Sequence, residues 1–142
     1  KVLERIDIAL LNETELRQLT GEWNTIRAAK QILKMGPKAV VIKRGEYGFV
    51  MATKEDFFIL PAMPITDVVD PTGAGDTFAG GLMGHLAKAG KTLNTSDLKQ
   101  ACVNGTVMAS FTIQDFGLNR LRSLTAAEIE LRRKEYMKII SL

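Results

Sequence analysis

The segment Val68-Val69-Asp70-Pro71-Thr72-Gly73-Ala74-Gly75-Asp76 limits the architecture of this chain more than any other. An apolar strand end passes through proline and glycine into a helix-forming stretch, Asp76 to Ala89, which Gly90 stops. Strand, tight glycine turn and helix in immediate succession are the building step of an α/β fold. The two glycines permit the turn and remove side chains that would obstruct an anion. The first N–H groups of a helix lack intrahelical acceptors and carry partial positive charge. A phosphate is therefore expected on the amides of Ala74, Gly75 and Asp76. Asp76 would repel that phosphate unless it serves the nucleophile, as a carboxylate that accepts the proton of an attacking hydroxyl. The competing reading is structural: a turn over Asp70–Gly73, with Asp76 as a helix cap. The loop is not a Walker A sequence, because no Gly-x-x-x-x-Gly-Lys-Ser/Thr occurs. It is not a dinucleotide fingerprint either, because the third glycine is not at the required spacing.

The rest of the chain supplies the other elements of such a fold. Ile6–Leu11 reads as a short buried strand, followed by a helix from Asn12 to Gly21 and a second from Thr25 to Lys34, capped by Asn24 and ended near Gly36. Ala39–Ile42 is a continuous apolar run, as in a strand covered on both faces. Lys43–Gly48 is turn material, and Phe49–Ala52 and Phe57–Leu60 form a strand pair around a polar turn. A helix from Ser96, its cap, to about Thr112 and a last one from Thr125 to Ile140 complete the pattern. Gly80, Gly81 and Gly84 each weaken the helix that holds them, by about 1 kcal/mol relative to Ala. Such a helix is expected to need close backbone packing against a sheet or a ligand. The fold class is α/β, a mostly parallel sheet with an antiparallel hairpin.

Composition narrows the function. With 46% hydrophobic and 25% charged residues among 142, the chain can bury a core as one domain. A net charge of +3 suits an anionic substrate such as ATP, but no Lys/Arg stripe runs along the chain, so nucleic acid is not an expected partner. A single cysteine, Cys102, excludes an internal disulfide framework and fits a cytoplasmic setting. No apolar run reaches the roughly 18–20 residues that span a bilayer. The chain starts at Lys1, almost directly before an apolar strand, which reads as entry partway through a longer fold.

Asp70-Pro71-Thr72-Gly73-Ala74-Gly75-Asp76-Thr77-Phe78-Ala79-Gly80-Gly81 closely resembles the C-terminal signature of the PfkB family, which includes ribokinase, adenosine kinase and other sugar or nucleoside kinases. Pro71 stands where the family usually has Thr. The resemblance implies the C-terminal, ATP-binding and catalytic-base portion of a ribokinase-like three-layer α/β/α kinase, spanning residues 1–142, with the N-terminal half absent. It makes Asp76 the catalytic base and Gly73, Ala74 and Gly75 the anion hole. Asn12 and Glu15 resemble the family's Asn-x-x-Glu motif, whose Glu organises Mg2+ through water. Their spacing is also that of a capping box. Lys43, Gly45 and Gly48 resemble the strand and turn beside the ATP phosphates, and Asn104 resembles an Asn that borders the adenine. Asp70, Thr72, Ser110 and Gly117 resemble the surroundings of a monovalent cation, K+ in many members. The implied reaction is ATP-dependent phosphorylation of a hydroxymethyl group on a sugar or nucleoside. The alternatives are a nucleotide-binding module without catalysis and a structural α/β domain. A homodimer would form through the absent half.

Other conspicuous residues read as structural. Counted from Asp76, helical spacing sends His85 away from the loop, towards packing or solvent. Arg44 reads as exposed, and Trp23, Cys102 and the methionines as filler. Glu128, Glu130 and Glu135 read as a solvated helix face.

Overall fold

The computed structural model describes residues 1–90 and 94–141. They divide into two compact units, Lys1–Pro61 and Ala62 to the C-terminus.

In the first unit a four-stranded sheet has the order β1-β2-β3-β4. The strands are β1 Ile8–Asn12, β2 Ala39–Lys43, β3 Phe49–Thr53 and β4 Phe57–Leu60. β1 and β2 are parallel, joined through helices α1 Glu13–Thr20 and α2 Thr25–Lys34, and the β2–β3 and β3–β4 pairs are antiparallel. Both helices stand where cap chemistry places them. Asn12 Oδ1 accepts from the Glu15 N–H at 2.8 Å, Asn24 Oδ1 from the Arg27 N–H at 3.0 Å, and Gly21 turns left-handed at φ +69°. β1 is displaced from the expected Ile6–Leu11: pairing begins at Ile8 opposite Ala39, since Pro37 just before β2 has no N–H to offer a ladder. Alternation along the strands sends Val40, Ile42, Val50 and Ala52 to one face, where they form a core with Leu16, Ala28, Ala29, Ile32 and Leu33 of the two helices. Val41, Met51 and Phe49, on the other face, are equally buried.

The second unit is helical: α3 Ala74–Ala89, α4 Thr95–Thr112, α5 Asn119–Arg122 and α6 Ala126–Ile140. Three boundaries correct the sequence reading. Val68-Val69-Asp70 is not a strand; the N–H groups of Val69 and Asp70 both donate to the Ile113 carbonyl, at 2.8 and 3.3 Å, so the end of α4 takes the place of a neighbouring strand. α3 begins two residues earlier than expected. α4 is capped by Asn94, whose Oδ1 accepts from the Asp97 N–H at 2.8 Å, and not by Ser96. The single turn α5 was not anticipated; four residues are too few for a periodic signal.

α3 and α4 approach closely through glycine, but only at one of the three positions that suggested it. A Cβ on Gly81 would meet the Asn104 carbonyl and Gly105 Cα at 3.0 Å, whereas around Gly80 and Gly84 there is nothing within 4 Å. The surface met is a helix, neither sheet nor ligand. α6 is held by a reciprocal Thr125–Glu128 box and by Arg120, 2.5 Å from Glu128. The Thr125 hydroxyl above all, then its N–H and Arg120, pulls the Glu128 carboxyl from 4.5 to about 2. A carboxyl depressed by folding contributes stability above its unfolded value and loses it as pH falls through its folded one. This contribution is therefore complete above about 4.5 and fades towards 2. The carboxyl-carbon NMR titration of Glu128 is expected to have its midpoint near 2 and to move up towards 4.5 in Thr125→Val. An unmoved midpoint would show that the hydroxyl is not the cause. Among the described residues no helix is long and apolar enough to cross a membrane.

Candidate functional site

Gly73, the residue before α3, has φ +81° and ψ −4°, a left-handed conformation that costs a residue with a Cβ about 1–2 kcal/mol. Conformation rather than space demands glycine here, since the nearest atom to a Cβ would be Thr112 Cγ2 at 3.8 Å. The turn is tied by the Ala74 N–H donating to the Pro71 carbonyl at 3.2 Å, and by the Thr77 N–H donating to the Gly73 carbonyl at 2.9 Å. Of the three amides expected to receive an anion, that of Ala74 is therefore already engaged. Those of Gly75 and Asp76 meet no protein acceptor among the described residues.

Caps distinguish α3 from the other helices of eight or more residues. α1, α2, α4 and α6 each start under a side-chain cap from Asn12, Asn24, Asn94 or Thr125, whereas α3 starts with none. Asp76, in its first turn, is exposed, and among the described residues no hydrogen bond or ion pair holds its carboxylate. The structural reading of Asp76 as a cap thus has no bond behind it. Upstream, Asp70 Oδ1 accepts from the Thr72 N–H at 2.9 Å, and this bond, ahead of one from the Thr72 side chain, lowers the Asp70 carboxyl below its usual range.

The remaining residues of this unit lie along α4 and just past it. Asn104 Nδ2 is 2.6 Å from Nδ1 of His85 on α3. An amide nitrogen can only donate, so His85 Nδ1 is the acceptor and the imidazole proton sits on Nε2. His85 was expected to pack or to face solvent, and it packs: the positions Ala74, Phe78, Gly81 and His85 form one helical stripe. Phe78, Gly81 and His85 of that stripe all meet α4. Ser110 is buried; its Oγ donates to the Val107 carbonyl at 2.6 Å and accepts from Arg132 at 3.2 Å. With a guanidinium on it, this hydroxyl does not fit a cation ligand, so a monovalent ion here would rely on backbone oxygens and the carboxylate of Asp70. Gly117, at φ +56°, lies in the exposed loop that follows α4.

In the first unit the expected residues cluster at the carboxyl ends of the two parallel strands, where open α/β sheets bind ligands. Asn12 closes β1 and pairs in register with Lys43, which closes β2. Asn12 and Glu15 form the complete capping box, with Glu15 Oε2 2.7 Å from the Asn12 N–H. Glu15 Oε1 takes no hydrogen bond among the described residues. Gly45 and Gly48, at φ +58° and +85°, turn the chain back, and the Arg44 N–H donates to the Gly48 carbonyl at 2.8 Å. Arg44 is only partly exposed, because Glu13 holds its guanidinium at 3.2 Å. Among the described residues no three His, Cys, Asp or Glu side chains gather into a metal cage. One free carboxylate oxygen fits Mg2+ held through water, as this ion keeps much of its hydration and shares substrate phosphates.

Comparison with known proteins agrees with the fold. The family model described as "pfkB family carbohydrate kinase" matches residues 1–124. A cytidine kinase of Thermococcus kodakarensis is 41% identical over 90 residues, 62% of this chain and 32% of its own. A ribokinase of Staphylococcus aureus is 33% identical over 122 residues, 82% of this chain and 38% of its own. The crystal structure of aminoimidazole riboside kinase from Salmonella enterica, complexed with aminoimidazole riboside and an ATP analogue, superposes with a TM-score of 0.82 at 27% identity. That match covers 93% of this chain and 43% of the other. The chain thus spans less than half the length of these relatives. With a ribokinase-like α/β fold and a family match over most of its residues, it belongs to the pfkB family of carbohydrate kinases.

Proposed function

We propose that this chain forms the ATP side of a phosphotransferase that phosphorylates a hydroxyl, a hydroxymethyl group of a sugar or nucleoside, with the acceptor side supplied by an N-terminal half. The observation that carries the reading is the start of α3, an uncapped N-terminus with two unbonded amides beside an unbonded carboxylate. In a purely structural turn the carboxylate would be spent on those amides.

The division of labour follows from the chemistry. The γ-phosphoryl group needs little covalent help, so catalysis rests on position and on stabilising charge. The Gly75 and Asp76 amides, at the positive end of α3, receive the charge on the transferred group. Asp76 accepts the proton of the incoming hydroxyl as the new O–P bond forms and the bond to ADP breaks. In the first unit, by resemblance to the family, Lys43 would offer an ammonium to phosphate, and Gly45 and Gly48 would keep side chains out of its way. Glu15, positioned by its bond to Asn12, would hold Mg2+ through water at Oε1. The metal, when bound, neutralises phosphate charge. Asn104 borders the base of the nucleotide. Asp70, the Thr72 segment and the backbone carbonyls near Ser110 and Gly117 would hold a monovalent cation, which would supply positive charge there.

The test is ADP release by the full-length protein with Mg-ATP and a panel of sugars and nucleosides, alongside calorimetry with Mg-ATP. Acceptor-dependent ADP release is expected. Heat of binding without release across the panel would favour a nucleotide-binding module, and absence of both would leave a structural domain.

A further inference from the structure

Glu13 gathers contacts from three elements of the first unit. It opens α1, between Asn12 and Glu15, and the positive end of a helix suits a carboxylate. The two acids of that first turn do different things. Glu15 reaches back to the Asn12 N–H, whereas Glu13 reaches sideways. Its Oε1 accepts from Arg44 Nε at 3.2 Å and from the hydroxyl of Thr25, the first residue of α2, at 3.5 Å. The Arg17 guanidinium stands 3.8 Å away.

Arg44 is the root of the turn that follows β2. Its N–H donates to the Gly48 carbonyl at 2.8 Å, and its carbonyl accepts from the Tyr47 N–H at 3.1 Å. The ladder holds the feet of the turn, with Lys43 opposite Phe49. Gly45, Glu46 and Tyr47 beyond them are exposed. These backbone bonds fix the shape of the turn but not its direction from the end of the sheet. Among the described residues, the Arg44–Glu13 pair is the one hydrogen bond or ion pair that a side chain of residues 43–48 makes outside the turn. Both partners are partly exposed, and an ion pair of that kind adds little to stability. What it can fix is direction.

We infer that Glu13 is a positioning residue, which through Arg44 holds the Gly45–Gly48 turn against the start of α1 and so sets the turn and Lys43 where phosphate is received. This rests on the phosphate role of Lys43 proposed above. The two adjacent basic residues then have separate tasks. Lys43 makes no ion pair among the described residues and keeps its charge for the ligand. Arg44 has its charge matched by Glu13 and serves as the strut between the turn and the helix.

The experiment measures the Kd for Mg-ATP by calorimetry, and kcat by acceptor-dependent ADP release, in the full-length protein and its variants. Glu13→Ala and Arg44→Met are each expected to raise Kd about tenfold. At saturating nucleotide kcat is expected to stay nearly unchanged, because the binding lost is common to ground and transition states. The double variant is expected to match the single ones, since the two side chains act as one unit. Arg44→Lys keeps a cation within reach of Glu13 and is expected to recover most of the affinity. A pair that served stability alone would leave Kd unmoved, because an unfolded fraction appears in the stoichiometry of the titration and not in Kd. An unchanged Kd in Glu13→Ala overturns the inference. A rise in Arg44→Met alone does so too, and would make Arg44 itself the phosphate contact. Losses that multiply in the double variant would show two independent roles and overturn it as well. Lys43→Ala separates this inference from the placement beneath it. If Lys43→Ala raises Kd and Glu13→Ala does not, only this inference fails. If Lys43→Ala leaves Kd unchanged, the phosphate placement fails and this inference with it.

Discussion

Asp76→Asn is expected to lower kcat by about 10²–10⁴-fold, the usual contribution of a positioned general base, while the Kd for Mg-ATP changes little. The substitution keeps size and shape but leaves a group that cannot take a proton near neutral pH. The structure gives it almost nothing else to disturb. Asp76 is exposed, caps no amide and pairs with no cation among the described residues. The only stabilising term at risk is its attraction to the positive end of α3, about 0.3–1 kcal/mol at an exposed site. A loss of two or more decades in turnover is about 3 kcal/mol or more, so chemistry and stability are separable here. Steady-state kinetics at saturating acceptor, with calorimetric titration of Mg-ATP into the full-length protein, measures both. Equal losses in kcat and in ATP affinity would mean that Asp76 shapes the phosphate site and is not the base.

Gly105→Ala is expected to destabilise the protein by about 2 kcal/mol, although alanine is the better helix former. Two effects oppose each other. In an exposed helix interior the exchange gains about 1 kcal/mol. At Gly105 the new Cβ would stand 2.7 Å from the Phe78 carbonyl oxygen and 3.0 Å from its ring, so α3 and α4 must separate. Overpacking of this kind costs about 1–3 kcal/mol, and the upper end applies because backbone cannot step aside as a side chain can. Gly84→Ala on α3 is the control. Among the described residues nothing lies within 4 Å of the added methyl, and the helix gain of up to about 1 kcal/mol is expected to appear alone. Urea unfolding of the pair checks both signs. A stabilised Gly105→Ala would mean that the two helices are not held as close as described.

Much of this molecule was legible wherever the decisive interaction is between near neighbours in sequence. The Asn12–Glu15 box, the Asn24 cap, the Gly21 stop and the Thr125–Glu128 box each close within three or four residues, and all occur as expected. The strand boundaries near Ala39, Phe49 and Phe57 follow from β-branched and aromatic runs bounded by turn residues, and were placed within a residue. The glycine loop was legible as a tight turn into a helix, but the left-handed Gly73 and the uncapped start of α3 at Ala74, two residues before the expected Asp76, came only with the structure.

What the residue order could not reveal is which distant groups are spent on one another. Val68–Asp70 has strand-forming side chains, but a strand exists only where another strand receives its amides, and here the Ile113 carbonyl takes two of them. Ser110 is expected beside a monovalent cation, and only the structure sets Arg132, 22 residues on, against its hydroxyl. Asn104 is expected by resemblance to border a base, and only the structure shows α3 bringing His85 to its amide from 19 residues away. Even Ala74, three residues from Pro71, yielded its amide to a turn bond that only folded coordinates disclose. Backbone propensity and capping act over one helical turn, so a single chain states them directly. The availability of an amide, hydroxyl or carboxylate for chemistry depends on whether a partner elsewhere has already claimed it, and that is decided by the folded chain.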